Sequence, residues 1–394
     1  MADYDIITVG GGVAGASLAK AMAENGSKVL VLESTTAFKD RVRGELIVPW
    51  GVVEANELGV YDSLLGAGGR EVRGWQTQAG PAPFPPRDLT ATPPGLGAMG
   101  IYHPAMQESV LEAAAAAGAE VRRGARVTGV TPGTEPSVTV DGETLSARLV
   151  VGADGRNSSV RKSCGFEVTE HEPEQMLSGV LLDNVPIDPD VSVLVFNFAL
   201  GQNALLFPQG NGRVRAYFGC RTDSGMRLAG DGDFQRFIDE CVRTGMPVGS
   251  YEGVTQAGPL ATFDGYDSWV EHPYKDGVAL AGDAAATSDQ TWGQGIAISF
   301  WHARRLRDAL LTDADWEAAG HSYADAAGEM FGHIHRIEEL FTELGMDPRE
   351  EANALRMKVL PRMMTDPDAT PDTFIVGPEM APVPPGLREE LLAG

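Results

Sequence analysis

The run Asp5-Ile6-Ile7-Thr8-Val9-Gly10-Gly11-Gly12-Val13-Ala14-Gly15 constrains this chain more than any other stretch. An uninterrupted apolar strand empties into a glycine turn, and small residues then open a helix. Gly10, Gly12 and Gly15 stand in the G-x-G-x-x-G spacing, whose three glycines allow a tight turn, backbone approach to a pyrophosphate, and close packing of helix on strand. A dinucleotide's diphosphate then sits at the helix N-terminus, beside Val13 and Ala14, where unpaired N–H groups and the positive dipole end favour an anion. A second buried strand, Ser27 to Glu33, ends in an acid and is followed by Ser34. An acid roughly 20 residues beyond the glycines can accept both ribose hydroxyls, and it argues against a 2′-phosphate. These features predict a dinucleotide-binding unit and leave NAD and FAD both open.

At 394 residues the chain is long enough for two or three domains. Its net charge of -24 disfavours nucleic acid or an anionic membrane surface as partner. The acids are spread in small groups, so a solvated acidic surface is expected rather than one acidic tail. Cys164, Cys220 and Cys241 show no C-x-x-C spacing and read as buried free thiols of a reducing compartment. The first strand begins within a few residues of Met1, so no signal peptide is expected. No apolar run reaches the ~18 residues of a membrane span, and a cytoplasmic protein is expected.

Behind Glu33, residues 38–51 lack periodicity and read as an ordered loop, with Arg43 placed to lie along the nucleotide or flavin edge, or else to pair with Glu45. A short helix, 52–58, follows. Residues 81–94 are proline-rich and read as an extended or irregular segment suited to a mobile flap over a pocket. A helix over 104–117 starts on a proline and stops at Gly118. Four short strands from Glu120 to Val151 lead into a second strand-to-turn corner, Gly152-Ala153-Asp154-Gly155-Arg156-Asn157-Ser158. From Gln175 to Phe218, consecutive strand-like runs with short turns predict an antiparallel second layer covering the pocket. Residues 277–300 form a third corner, Gly282-Asp283-Ala284-Ala285, running on through Trp292-Gly293-Gln294-Gly295-Ile296 into a helix. Helical patterns fill 316–344 and 349–360, and the tail from Asp366 reads as an extended arm or a partly loose segment.

Three strand-to-turn corners are more than NAD requires. FAD needs an acid for its ribityl hydroxyls and a helix N-terminus for the pyrimidine carbonyl that becomes negative on reduction. Asp283 and the Gly293-Gln294-Gly295-Ile296 helix start fit these needs. In the order and spacing of its three corners, the chain resembles the class A flavoprotein monooxygenases of the para-hydroxybenzoate hydroxylase type over its first ~310 residues. The loop Arg43-Gly44-Glu45-Leu46 with Pro49 is also similar to that of squalene epoxidases. The resemblance implies an α/β (α+β) fold: a Rossmann-like FAD-binding domain, a second domain built on an antiparallel sheet, and C-terminal helices. The corresponding segments are 1–80, 104–174 and 269–311 for FAD, 81–103 for the flap, 175–268 for the substrate domain, and 312–394 for the helices and tail.

The resemblance also implies roles. Gly10, Gly12, Val13, Ala14, Gly15, Glu33 and Ser34 would hold the ADP half of FAD, with Val127 counted among the contacts. Arg43 would lie near the cofactor, and Gln107 would touch the ribityl or diphosphate. Asp154 and Gly155 match the aspartate-glycine motif associated with FAD and NAD(P)H. Gly282, Asp283 and Ala284 would bind the riboflavin moiety, and Gly293, Gln294, Gly295 and Ile296 would offer backbone N–H groups to the isoalloxazine. Two positions depart from the family's pattern: Ala286 replaces the usual histidine, and Trp292 the usual proline ahead of Gly-Gln-Gly. In such a family, reduced flavin captures O2 as a C4a-(hydro)peroxyflavin and transfers one oxygen atom, so no acid/base pair need stand out.

The expected activity is hydroxylation or epoxidation of an apolar or aromatic small molecule. NAD(P)H binding transiently, or an external flavin reductase, would supply electrons, and a homodimer is possible. Trp50, Phe196, Phe198, Tyr217 and Trp292 are the expected pocket walls, with Phe196 and Phe198 placed on one face of a strand. An FAD-dependent reductase of the geranylgeranyl reductase kind, a flavin-dependent halogenase (for which no W-x-W-x-I-P motif is present) and a non-catalytic flavin-binding module remain as alternatives. No H-E-x-x-H or cysteine-histidine cluster points to a metal; His333 and His335 read as exposed or core histidines.

Overall fold

Residues 2–42, 44–79, 82–93, 95–366 and 369–393 are described by a computed structural model of the chain. Arg43, Pro81 and Pro94 lie outside the described residues, and with Arg43 goes the expected contact along the flavin edge.

The first sheet is parallel at its centre. Strands Glu120–Arg123, Val29–Glu33, Tyr4–Val9, Glu143–Gly152 and Val278–Leu280 lie side by side in that order. Their continuous apolar runs follow from burial on both faces, as parallel strands require. The helices Val13–Glu24, His103–Ala116 and Gly295–Thr312 pack together with the sheet in one apolar core. The strands Val127–Thr131 and Ser137–Val140 extend the sheet beyond Glu143–Gly152 as antiparallel neighbours.

The second sheet is mainly antiparallel. Strands Gln175–Asp183, Arg213–Arg221, Gln202–Gly210 and Val191–Asn197 follow each other in space. Strict alternation gives the sheet two apolar faces. Val180, Leu206, Ala216 and Phe218 pack under the helix Phe234–Thr244 through Phe237 and Cys241. Leu177, Leu205 and Tyr217, with half-buried Leu194, Phe196, Phe207 and Phe263, form the opposite face, which meets Val42 of the loop after the second strand. That face is therefore turned toward the nucleotide domain.

Several expectations are corrected here. The segment Gly74–Ala79 belongs to the second sheet, pairing in parallel with Val191–Asn197. The proline-rich segment contributes strands Ala82–Pro83 and Arg87–Asp88 to that edge, and Arg87 is ion-paired to Asp372, so its described part is extended as expected but anchored to the sheet rather than a free flap. Backbone donors left unpaired at an edge account for the pairing. The tail forms helices Thr373–Val376 and Leu387–Ala393, with Ile375, Val383 and Leu391 buried. The helix after the first long loop begins at Pro49, three residues before the expected start, because proline suits the first turn. Cys164, Cys220 and Cys241 are free and buried.

Candidate functional site: three corners and an aromatic wall

The three corners converge. Gly10 has φ +105° and receives Ala153 so closely that a Cβ there would stand 2.2 Å from the Ala153 carbonyl oxygen. A Cβ on Gly15 would meet the Gly10 oxygen at 2.2 Å and the Ala153 methyl at 3.1 Å. The third corner reaches the same helix: a Cβ on Gly282 would lie 3.1 Å from that of Ala14. Arg161 links the second and third corners, donating to the Ala284 carbonyl at 3.1 Å. Gly44 faces Ile296: a Cβ on Gly44 would lie 3.1 Å from Ile296 Cδ1. Trp50 Nε1 donates to Gln294 Oε1 at 2.8 Å, and Gln294 Nε2 donates to the Trp292 carbonyl at 2.8 Å.

The chemistry of this junction suits a long anionic cofactor. Neither Val13–Glu24 nor Gly295–Thr312 has a side-chain cap, so the positive end of each helix is left for a ligand. Gly12 faces space in which the nearest atom to an added Cβ is Gln107 Nε2, at 3.7 Å, and the Cβ positions of Gly155, Gly293 and Gly295 meet nothing within 4 Å. Glu33 is buried at the strand end, its Oε2 accepting from Gly11 N at 2.9 Å and its Oε1 from Thr35 N at 2.7 Å. Ser34 Oγ approaches the same oxygen at 3.5 Å. Thr35 Oγ1 also donates to Oε1, at 2.8 Å, so these contacts orient the carboxylate and leave a lone pair on Oε2. Val127 is half-buried two residues after Ala125, whose N donates to the Glu33 carbonyl at 3.0 Å.

Asp154 has a structural task. Its Oδ2 accepts from Ser159 N at 2.7 Å, Ser159 Oγ at 2.8 Å and Val160 N at 3.2 Å, holding the start of the helix Ser159–Ser163. Asp283 lies half-buried in the turn Gly282–Ala284. Behind that turn, His302 is wholly buried and its Nδ1 accepts from Gly282 N at 3.0 Å. Burial pushes His302 down from 6.5 to about 3. A histidine held neutral in the folded state contributes stability that is present above pH 6.5 and is lost as pH falls toward 3. Wild-type stability should therefore carry a term that declines below about pH 6.5, and urea titrations of His302→Gln should lack it.

The expected pocket walls divide. Trp292 stacks on Phe196 (6.0 Å, 11°) and on Phe374 (5.7 Å, 5°), meets Phe341 edge-on at 5.9 Å, and donates to Thr342 Oγ1 at 3.0 Å. Phe198 does not share the strand face with Phe196. The strand ends at Asn197, and Phe198 sits in the following turn under the Arg356 guanidinium. Trp50 is 4 % exposed and fixes the Gly-Gln-Gly turn rather than lining open space.

Tyr217 donates to Glu45 Oε2 at 2.9 Å, and Glu45 is ion-paired to Arg215 at 2.7 Å, with Asp40 on the same guanidinium at 2.9 Å. The side chains of Arg215 and Glu45 are fully buried. Burial pushes the Glu45 carboxyl up to about 8, with Arg215 and Tyr217 opposing. Glu45, Arg215, Phe341 and Phe374 were not read from the sequence as site residues. A glutamate in a glycine loop and an arginine at an inward strand position were the available signals for the first two.

A model of the family described as FAD binding domain matches residues 3–322. The chain belongs to the FAD binding domain family. This is the fold of the class A flavoprotein monooxygenases, and FAD is the family's cofactor. Among curated relatives of this FAD-binding chain is the rifampicin monooxygenase of Streptomyces venezuelae, 29% identical over 323 residues, which are 80% of this chain and 66% of the relative. The chain thus spans slightly under two thirds of that protein. Digeranylgeranylglycerophospholipid reductase 2 of Methanopyrus kandleri is 25% identical over 388 residues, 90% of this chain and 89% of the relative. Among solved structures, the anhydrotetracycline hydroxylase OxyS of Streptomyces rimosus superposes with TM-score 0.72 at 20% identity, over 98% of this chain and 76% of that one, a likeness of fold.

Proposed function

We propose that this chain is an FAD-dependent monooxygenase acting on an apolar or aromatic small molecule. The observation that carries this reading is the meeting of two uncapped helix N-termini and three glycine corners beneath an apolar sheet face. Gly10 to Gly15, Glu33 and Ser34 hold the ADP half of FAD, Gln107 lies beside the diphosphate, and Asp283 with Gly293 to Ile296 takes the flavin end. Bound flavin supplies the activation of O2 and the transfer of one oxygen atom. The protein's own share is to exclude water, orient substrate and place helix dipoles.

Phe196, Trp292, Phe341 and Phe374 wall the apolar part of the pocket, and Tyr217 with Glu45 forms its polar pole. Burial holds Tyr217 well above 10, so it stays a hydrogen-bond donor. Aromatic multi-ring compounds, the kind named for the rifampicin and anhydrotetracycline enzymes, suit a wall of stacked rings. Trp292→Ala removes the central ring. We expect KM for an aromatic substrate to rise roughly tenfold or more, about 1.4 kcal/mol, with the flavin spectrum retained. Steady-state kinetics beside a visible spectrum would check this; an unchanged KM would remove Trp292 from the pocket.

NAD(P)H or a separate flavin reductase delivers electrons, and the protein works in the cytoplasm as a monomer or homodimer. Among the described residues, no helix is long and apolar enough to cross a membrane. The deciding experiment combines flavin absorbance of the purified protein with oxygen uptake in the presence of NADPH and a panel of aromatic polyketides. Substrate-dependent oxygen uptake and a product heavier by one oxygen atom support the proposal. Anaerobic turnover of a C=C bond would instead establish a reductase, and a colourless protein that takes up no FAD would end both readings.

A further inference from the structure

A second cluster of ligating side chains lies outside the three corners. His171 follows the strand Thr169–Glu170, whose partner is Ser268–Trp269, and its amide donates to the Asp267 carbonyl at 3.0 Å. His335 and Glu339 stand one turn apart on the long helix Trp316–Met346. One ligand atom from each of His171, His335 and Glu339 falls within 4.8 Å of the others. The two imidazoles are edge-on at 4.7 Å, and His335 Nε2 lies 3.5 Å from Glu339 Oε1.

The decisive contact is behind His335. Asp267, 6 % exposed, approaches His335 Nδ1 at 2.6 Å through Oδ2 while its Oδ1 accepts from Asp289 N at 2.6 Å. A carboxylate in that place puts the proton on Nδ1 and leaves the Nε2 lone pair pointing toward Glu339. This carboxylate-histidine arrangement is how proteins orient and strengthen an imidazole ligand. An Nε2 lone pair beside a glutamate oxygen is repulsive unless a proton or a cation lies between them.

We propose that His171, His335 and Glu339 form a binding site for a borderline divalent cation of the Zn2+, Ni2+ or Cu2+ class, with Asp267 orienting His335. Two imidazoles and one carboxylate select these ions over Mg2+ and Ca2+, which prefer oxygen ligands throughout. Three protein ligands leave a fourth position for water. His171 and Glu339 are exposed and turn to close the remaining distance, whereas His335 is already fixed. The motif is invisible to linear spacing because a strand end and a helix supply the ligands. Asp289 begins the turn that carries Trp292, so the cation site and the aromatic wall share Asp267 and Asp289 as common supports.

The test uses untagged, FAD-loaded protein stripped with a chelator and titrated with Zn2+ by calorimetry. One equivalent should bind at micromolar concentration at pH 7.5, with weaker binding at pH 5.5 because protons compete for the imidazoles. His171→Ala and His335→Ala should each weaken binding more than tenfold, and Asp267→Asn by about 10- to 100-fold, the usual cost of losing an outer-shell partner. Flavin absorbance and melting temperature, followed in parallel, separate a lost site from a lost fold, and His171→Ala at the exposed position should leave both unchanged. Failure to saturate in the millimolar range, or full affinity retained in the His171→Ala/His335→Ala double variant, would overturn the proposal.

Discussion

Gly12→Val should yield a folded, colourless protein, while Gly10→Ala should not fold stably at all. The two glycines stand two residues apart in one turn, yet the physical demands on them differ. Gly10 lies at φ +105° with the Ala153 carbonyl 2.2 Å from where a Cβ would be. Any side chain there is strained and drives the second corner away from the first. Gly12 is extended, at φ -72° and ψ -171°, a conformation open to every residue. Only Gln107 Nε2, at 3.7 Å, approaches its Cβ position. The space there is the approach to the uncapped helix end, so a valine keeps the fold and blocks the diphosphate. We expect FAD affinity to fall by roughly 100-fold or more, about 2.7 kcal/mol, with the apo protein's melting temperature close to that of wild-type apo protein. Flavin fluorescence titration with differential scanning fluorimetry checks both halves. Tight FAD binding by Gly12→Val would show that the cofactor does not lie over this turn.

The same contrast explains what the sequence made legible. The corners at Gly10, Asp154 and Gly282 are written in local backbone requirements: an apolar strand, a glycine where no Cβ fits, and a helix start. Such features need no partner from elsewhere in the chain, and the structure brings all three together. Asp154 shows the limit of this logic, because its side chain is engaged by Ser159 and Val160, a local capping role that a motif match does not distinguish from ligand binding. Strand alternation carried to Phe198 runs one residue past an end that only the Asn197 turn defines. Phe341 and Phe374 reach Trp292 from the C-terminal helices, and nothing in the spacing of those helices announces the contact. Glu45 was visible as a loop acid. Spacing offers neighbouring Arg43 as its partner, whereas burial against a sheet strand far along the chain gives it Arg215 and Tyr217.

That buried group carries the second large effect: Arg215→Met should destabilise the protein by about 3–5 kcal/mol at pH 8, the usual cost of removing one partner from a buried ion pair. Arg215 is fully buried between Glu45 and Asp40, and methionine fills much of its volume while leaving two carboxyls without a counter-charge. Glu45 sets how that loss varies with pH. Its carboxyl is raised from 4.5 to about 8, so between those values the folded protein holds a proton that the unfolded chain has released. By linkage, its contribution to stability is fully present below pH 4.5 and declines as pH rises through 8. The penalty for Arg215→Met should therefore be smaller at pH 5.5, where Glu45 is neutral in both proteins, than at pH 9.5, where wild-type Glu45 has ionised and the variant's, lacking the arginine, is held up further. Glu45→Gln should flatten this part of the wild-type profile. The double variant Arg215→Met/Glu45→Gln should recover at least half of the loss, because the glutamine still accepts from Tyr217 and carries no charge. The slope runs opposite to that of His302, so each must be read as a difference between wild type and its own variant across the same pH series. If guanidinium melts gave an equal Arg215→Met penalty at both pH values and no recovery in the double variant, Glu45 would be an ionised partner at all pH. The polar pole of the pocket would then be a fixed ion pair, unable to take or release a proton near neutrality.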